Sequence, residues 1–159
     1  MSFGKLLRGL FSRKPAPPPK PVADPRLEAN PWLGEVFAHL GDRYRLAEDG
    51  ERILRRTGRA RFNPMPVWLK DHRLVCDYEV RAAGTPETAA SEARKLLDAS
   101  VSSRLNALGL EQSGEKIEEW AGTVLVRTYA GQFESAERAA VAIRFICEDS
   151  ETQLNTAAE

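Results

Sequence analysis

Leu74, Cys76, Tyr78 and Val80 alternate with Val75, Asp77 and Glu79, the period of a half-buried strand. Ala83-Gly84-Thr85-Pro86 ends that strand and opens a helix, with Thr85 as N-cap and Pro86 at the first helical position, where its missing N–H costs nothing. The helix runs to Leu108, with Ala90, Ala93, Leu97, Val101 and Leu108 on one line and Leu96 and Leu105 beside it. Gly109 in a left-handed conformation and Leu110 against Leu105 predict a Schellman stop. The same plan returns as Thr123-Val124-Leu125-Val126, a break at Gly131, and a helix near Phe133–Ser150. These two strand-then-helix units look like the body of a small α+β domain.

The stretch before these units adds a helix and two hairpins. Asn30-Pro31 reads as an N-cap followed by a first-turn proline, and Trp32, Leu33, Val36, Phe37 and Leu40 form the stripe of a helix that Gly41 closes. Asp49-Gly50, between Tyr44/Leu46 and Ile53, predicts a hairpin that pairs Leu46 with Ile53. Leu54 departs from the alternation, so a helix over Arg43–Arg56 interrupted at Gly50 is the alternative. Thr57–Phe62 continues as irregular or edge strand up to Asn63-Pro64-Met65-Pro66, whose prolines suit an edge or a strand start. Val67–Lys70, a turn at Asp71-His72 and the strand from Leu74 make the second hairpin.

The expected fold is therefore an α+β domain: an antiparallel sheet of about five strands, two hairpins plus a later strand, with two to three helices packed on one face. The order helix, hairpins, helix, strand, helix is loosely similar to small secretion-chaperone-like folds, which run helix, three strands, helix, two strands, helix. That similarity lies in element order alone and implies no site residues.

Charge divides the chain further. The 159 residues carry 23 basic and 23 acidic side chains, but Lys5, Arg8, Arg13, Lys14 and Lys20 precede the first acid at Asp24. The remainder holds 18 basic against 23 acidic residues, a net of −5. Residues 1–14 read as a basic amphipathic arm: Phe3, Leu7, Leu10 and Phe11 share one side of a helix, and Lys5, Arg8, Arg13 and Lys14 fall around the rest. Such a segment suits an anionic bilayer interface, or alternatively a protein groove or a targeting role. Pro15-Ala16-Pro17-Pro18-Pro19-Lys20-Pro21 reads as a polyproline II spacer, holding the arm about 20 Å from the body. Its Pro15/Pro18/Lys20 pattern also matches an SH3-type ligand, the weaker reading because any proline tract generates it. The organisation is thus an arm at 1–14, a Pro-rich linker at 15–29, one domain at 30–150 and a frayed tail at 151–159.

Candidate sites lie at the margins. Arg52, Arg55, Arg56, Arg59 and Arg61 read first as a solvated, partly paired face and alternatively as an anionic-partner surface for an acidic protein or lipid, with Tyr44, Phe62 and Trp68 near enough for stacking. The acidic body and the local counter-charges Asp42, Glu48, Asp49 and Glu51 argue against nucleic acid. Val141 and Phe145, almost opposite the Ala136/Ala139/Ala140/Ile143/Ile146/Cys147 stripe, form a candidate homodimer or protein interface. Burial of the pair inside the protein is the competing reading.

No phosphate loop, dinucleotide fingerprint or nucleophile elbow is present, and the two cysteines form no metal spacing. We therefore expect no metal, no cofactor and no catalysis. The function expected is that of a cytoplasmic interaction or adaptor domain held peripherally at a membrane by its arm. The alternatives are a soluble dimeric chaperone or immunity-type protein, and a small enzyme with a pocket around His72 and Asp77.

Overall fold

Two proline-initiated helices lead into the sheet. The computed structural model describes residues 24–58, 61–119 and 121–149. The first element, α1 (Pro25–Ala29), lies within the stretch read as linker; Asp24 caps it by accepting from the Arg26 N–H at 2.9 Å. Arg26 reaches on to the Leu46 and Ala47 carbonyls, which fastens α1 to the first hairpin. α2 (Pro31–Leu40) opens on Asn30, whose side chain accepts from the Leu33 N–H, and it buries Leu33, Val36, Phe37 and Leu40.

Four strands follow: β1 (Tyr44–Leu46), β2 (Arg52–Thr57), β3 (Arg61–Lys70) and β4 (Arg73–Ala82). Leu46 pairs with Ile53 as the Asp49-Gly50 signal requires, so residues 43–56 form a hairpin rather than a broken helix. The β3–β4 turn places Asp71 and His72 both at positive φ, 48° and 66°. That is the type I′ geometry whose twist matches a tight hairpin. α3 (Pro86–Leu97) then passes through a π-helical turn, Asp98–Ser102, into α4 (Ser103–Leu108). The predicted stop is present in full. Gly109 sits at φ 101°, its N–H donates to Asn106, and the Leu110 N–H donates to the Leu105 carbonyl at 2.8 Å.

β5 (Glu111–Glu119) and β6 (Thr123–Gln132) form a third hairpin, and α5 (Ala136–Arg144) ends in a second π-helical turn, Phe145–Asp149. The sheet is antiparallel and six-stranded, in the order β1-β2-β3-β4-β6-β5. It has one strand more than expected. The additional strand, β5, is an edge whose side chains are exposed or half-exposed throughout, so no apolar alternation marks it. The α+β class and the antiparallel sheet stand, but the described helices number five rather than two to three, because α1 forms within the stretch read as linker and a π-helical turn divides the long helix into α3 and α4.

Leu69, Leu74, Cys76, Tyr78, Leu125 and Tyr129 face the helices and form one core with Val36, Leu97, Val101 and Ile143. α5 lies against α2 on one flank and near α4 on the other. Arg144 donates to the His39 and Leu40 carbonyls and so closes the end of α2. Tyr44 donates to Glu148 at 2.6 Å, and Arg55 donates to the Cys147 carbonyl, so the last turn is tied to the first hairpin. Among the described residues, no helix is long and apolar enough to cross a membrane.

Candidate functional site

No described helix lies against the second face of the sheet, and register decides which side chains it displays. From β1 and β2 it carries Arg45, Arg52, Leu54 and Arg56; from β3 it carries Phe62, Pro64, Pro66 and Trp68. The Arg45 guanidinium lies 4.4 Å from the Phe62 ring centroid and that of Arg52 lies 5.2 Å from Trp68. Arg52 also donates to the Met65 carbonyl at 3.1 Å, which spans the register shift between β2 and β3. Two arginines are thus held over aromatic rings, a contact worth about 0.5–1 kcal/mol each at exposed sites. Their remaining donors are left for carboxylates or phosphates.

The other half of the same face is built differently. β4 contributes Val75, Asp77, Glu79 and Arg81; β6 contributes Val124, Val126, Thr128 and Ala130; β5 contributes Lys116 and Glu118. Thr128 donates to Asp77 at 2.6 Å, and Lys116 pairs with Glu118 at 2.8 Å. The bond to Glu118, with Asp77 and Glu79 nearby, raises the Lys116 ammonium above its ordinary value. Val124 and Val126 are buried although they lie on this face. Their cross-strand neighbours Glu79, Arg81, Lys116 and Glu118 carry long alkyl stems that can shield them. A shallow hollow of about 400 Å³ beside Trp68, Lys70, Arg73 and Val75 opens at the β3–β4 turn.

The predicted arginine surface is therefore divided. Arg52 and Arg56 share the open face, whereas Arg55 points to the helix side and is spent on the Cys147 carbonyl. Arg61 is exposed at the start of β3, paired with Thr57, and Arg59 lies outside the described residues. A period of two sends adjacent arginines to opposite faces, so a run of basic residues cannot make one patch on a strand. The arm residues Phe3, Lys5, Leu7, Arg8, Leu10, Phe11, Arg13 and Lys14 also lie outside the described residues.

The Val141/Phe145 pair needs correction. Val141 is 47% exposed but Phe145 is only 3% exposed, with the Arg104 guanidinium 5.2 Å from its ring centroid. A helical wheel places the two residues near one another, yet α5 has neighbours on both flanks, and the α4 side covers Phe145. They do not form a joint exposed patch.

His72 and Asp77 do not converge either. His72 stacks on Trp32 at 3.9 Å and bonds the Phe133 carbonyl through Nδ1 at 2.9 Å. Asp77 lies five residues along β4, about 17 Å away. Among the described residues no group of three or more His, Cys, Asp or Glu side chains could hold a metal. Cys76 and Cys147 are both buried thiols, and burial pushes the Cys76 thiol well above its ordinary range.

A further cluster lies on the helix side of the sheet. Arg127 is the only buried charged residue among those described, and it faces the helices from β6. It bonds Glu115 at 3.0 Å and Asp98 at 2.6 Å and lies 3.4 Å from both Ser102 Oγ and Tyr129 Oη; Arg94 adds a 2.6 Å bond to Glu115. Burial disfavours its charge, but the bonds to Tyr129, Asp98 and Glu115 outweigh that and hold the guanidinium protonated above its ordinary value. A lone arginine in the apolar run Thr123–Ala130 was the available signal. Its donors are occupied within the protein, so the cluster fastens β5 to the π-helical turn and offers little to a ligand.

No family model matches the chain, and neither curated proteins nor solved structures give a match.

Proposed function

We propose that this chain is a non-enzymatic interaction domain, held peripherally at an anionic membrane surface by residues 1–14, with the sheet face that no described helix covers as its binding surface. The observation that carries the reading is the stacking of Arg45 on Phe62 and Arg52 on Trp68 across a face that no described helix covers. Rings and guanidinium groups immobilised on strands present a preorganised surface and lose little side-chain entropy on binding. The tether rests on sequence: five basic residues and no acid before Asp24, an apolar side made by Phe3, Leu7, Leu10 and Phe11, and a proline-rich spacer. A short basic segment gives weak, reversible attachment, which suits recruitment rather than permanent anchorage.

Co-sedimentation with anionic vesicles tests the tether, comparing the full chain with one beginning at Asp24. The full chain should pellet with phosphatidylserine-containing vesicles, less so as salt rises, and the shortened chain should stay in solution. Equal binding by the two would end the tether reading.

A further inference from the structure

We infer that the outer edge of β5 pairs with the β5 edge of a second copy of this chain, antiparallel and centred on Ile117, so that the two sheets continue as one.

Among the described residues β5 pairs with β6 alone, and β1, the other edge of the sheet, is only three residues long. An edge strand offers a row of unpaired N–H and C=O groups to another chain. Charges usually guard such an edge, but here their order selects a copy of itself. Lys116-Ile117-Glu118 reads plus, apolar, minus in one direction and minus, apolar, plus in the other. About a two-fold axis through Ile117, each Lys116 stands opposite the second copy's Glu118, and the two Ile117 side chains meet at the axis. The four charges share the open face, and both Ile117 side chains share the helix side. Lys116 already bonds Glu118 of its own strand at 2.8 Å, so the four groups make a square of alternating sign. Directly opposed side chains lie ~5 Å apart at Cβ, close enough for both the ion pairs and the apolar contact. Moving the axis by one residue sets Lys116 on Lys116 or Glu118 on Glu118, and repulsion disfavours both registers.

The helix side of the edge agrees. Among the described residues only Ile117, at 45%, and Val141 are large apolar side chains left exposed. The same register sets Glu115 opposite the second copy's Glu119. Glu115 is already neutralised by Arg94 and Arg127, and the exposed Arg94 has donors left for that second carboxylate. The axis is perpendicular to the sheet, so both helix layers fall on one side and both open faces on the other. α3 lies over β4 and β6, about 10 Å from the axis at the usual strand spacing. The two copies of α3 then stand ~20 Å apart, beyond the ~10 Å at which helices pack, and do not collide. The register shift between Gln112 and Gly114 confines the pairing to residues 115–119. Such a contact is far smaller than a standard interface, so the dimer is weak, forming at about 0.1 mM. Main-chain bonds carry its affinity and the side chains choose its register.

Sedimentation equilibrium of the full chain tests this. The average mass should rise from 17.7 kDa toward twice that value as concentration increases through about 0.1 mM. Lys116→Glu and Glu118→Lys each place like charges together and should weaken self-association at least tenfold. An equimolar mixture of these two variants should dimerise, because each complements the other. The double variant K116E/E118K restores the palindrome with its signs exchanged and should self-associate as the wild type does. Ile117→Cys adds a readout free of charge reversal. Opposed Cα atoms ~5 Å apart suit a disulfide, so diamide should cross-link this variant at the axis, while Val141→Cys on α5 should stay largely monomeric. The native thiols Cys76 and Cys147 are buried and do not compete. A wild type that stays monomeric, a dimer that survives both single reversals, a double variant or a mixture that fails to dimerise, or equal cross-linking at Val141→Cys would each overturn the inference. Self-association abolished instead by Lys5→Glu with Arg8→Glu would make the basic arm the contact and would also overturn it.

Discussion

The carbonyl oxygen of Gly109 occupies the space that a Cβ on Gly131 would take, with the Phe133 ring 3.3 Å from the same point. The stop of the α3–α4 run and the end of β6 therefore touch backbone to backbone. Gly131→Ala forces backbone to move and should cost about 2–4 kcal/mol of unfolding free energy, in the range of overpacking and strain effects. Gly114, at the register shift of β5, has nothing within 4 Å of its Cβ position. Gly114→Ala should be neutral or stabilising by up to about 1 kcal/mol through the unfolded chain. Urea denaturation of the two variants checks the contrast.

Breaking the Arg127 cluster from either side should give unequal results. Asp98→Asn with Glu115→Gln leaves a buried guanidinium without a counter-charge and should cost about 3–5 kcal/mol. Arg127→Met removes the buried charge instead, leaving Glu115 with Arg94 at 2.6 Å and Asp98 largely in water. It should cost less than about 2 kcal/mol. Equal losses in thermal or urea unfolding would show that geometry, not charge burial, sets the cost.

Acid should act through the same group. Burial alone would raise the Glu115 carboxyl, but its bonds to Arg94 and Arg127 outweigh that and hold it below its ordinary 4.5. A depressed folded-state value means stability is complete above the unfolded value and is lost as pH falls through the folded one. Unfolding free energy should therefore be flat near neutrality and decline below about pH 4.5, with a shallower decline in Glu115→Gln. An identical slope in the two proteins would assign the acid limb to other carboxylates, of which Asp24, lowered by its bond to Arg26, is the first to test.

Phe145 and Val141 should respond oppositely to substitution. Phe145→Ala removes a side chain that is 3% exposed and should cost about 3–5 kcal/mol. Val141→Glu should fall within about 0.5 kcal/mol of wild type, because its side chain already meets solvent. Chemical denaturation of both variants measures this directly.

Where local chemistry was sufficient, the chain could be read directly. Thr85-Pro86, Asn30-Pro31, Asp49-Gly50 and the Gly109 stop each specify a conformation through groups within five residues of one another, and all four appear as written. Asp24-Pro25 follows the same cap-and-proline grammar, but α1 is short and is held by Arg26 on carbonyls twenty residues away. Alternation in β4 and the apolar run in β6 fixed which strands are buried. The register of β3 on β4 then followed from a two-residue turn.

Tertiary structure decided whatever depends on a neighbour far along the chain. β5 is a strand because β6 offers it a hydrogen-bonding edge, and a polar edge strand carries no periodic signal of its own. Phe145 is buried because α4 lies beside α5, which a helical wheel cannot know. Arg127 keeps its charge inside the protein because Asp98 and Glu115 arrive from two other elements. The arginine run separated for the plainest reason: strands alternate. Arg55 went to the core side and Arg52 and Arg56 to the open face, where pairing of six strands set them apart from Asp77, Glu79 and Glu118.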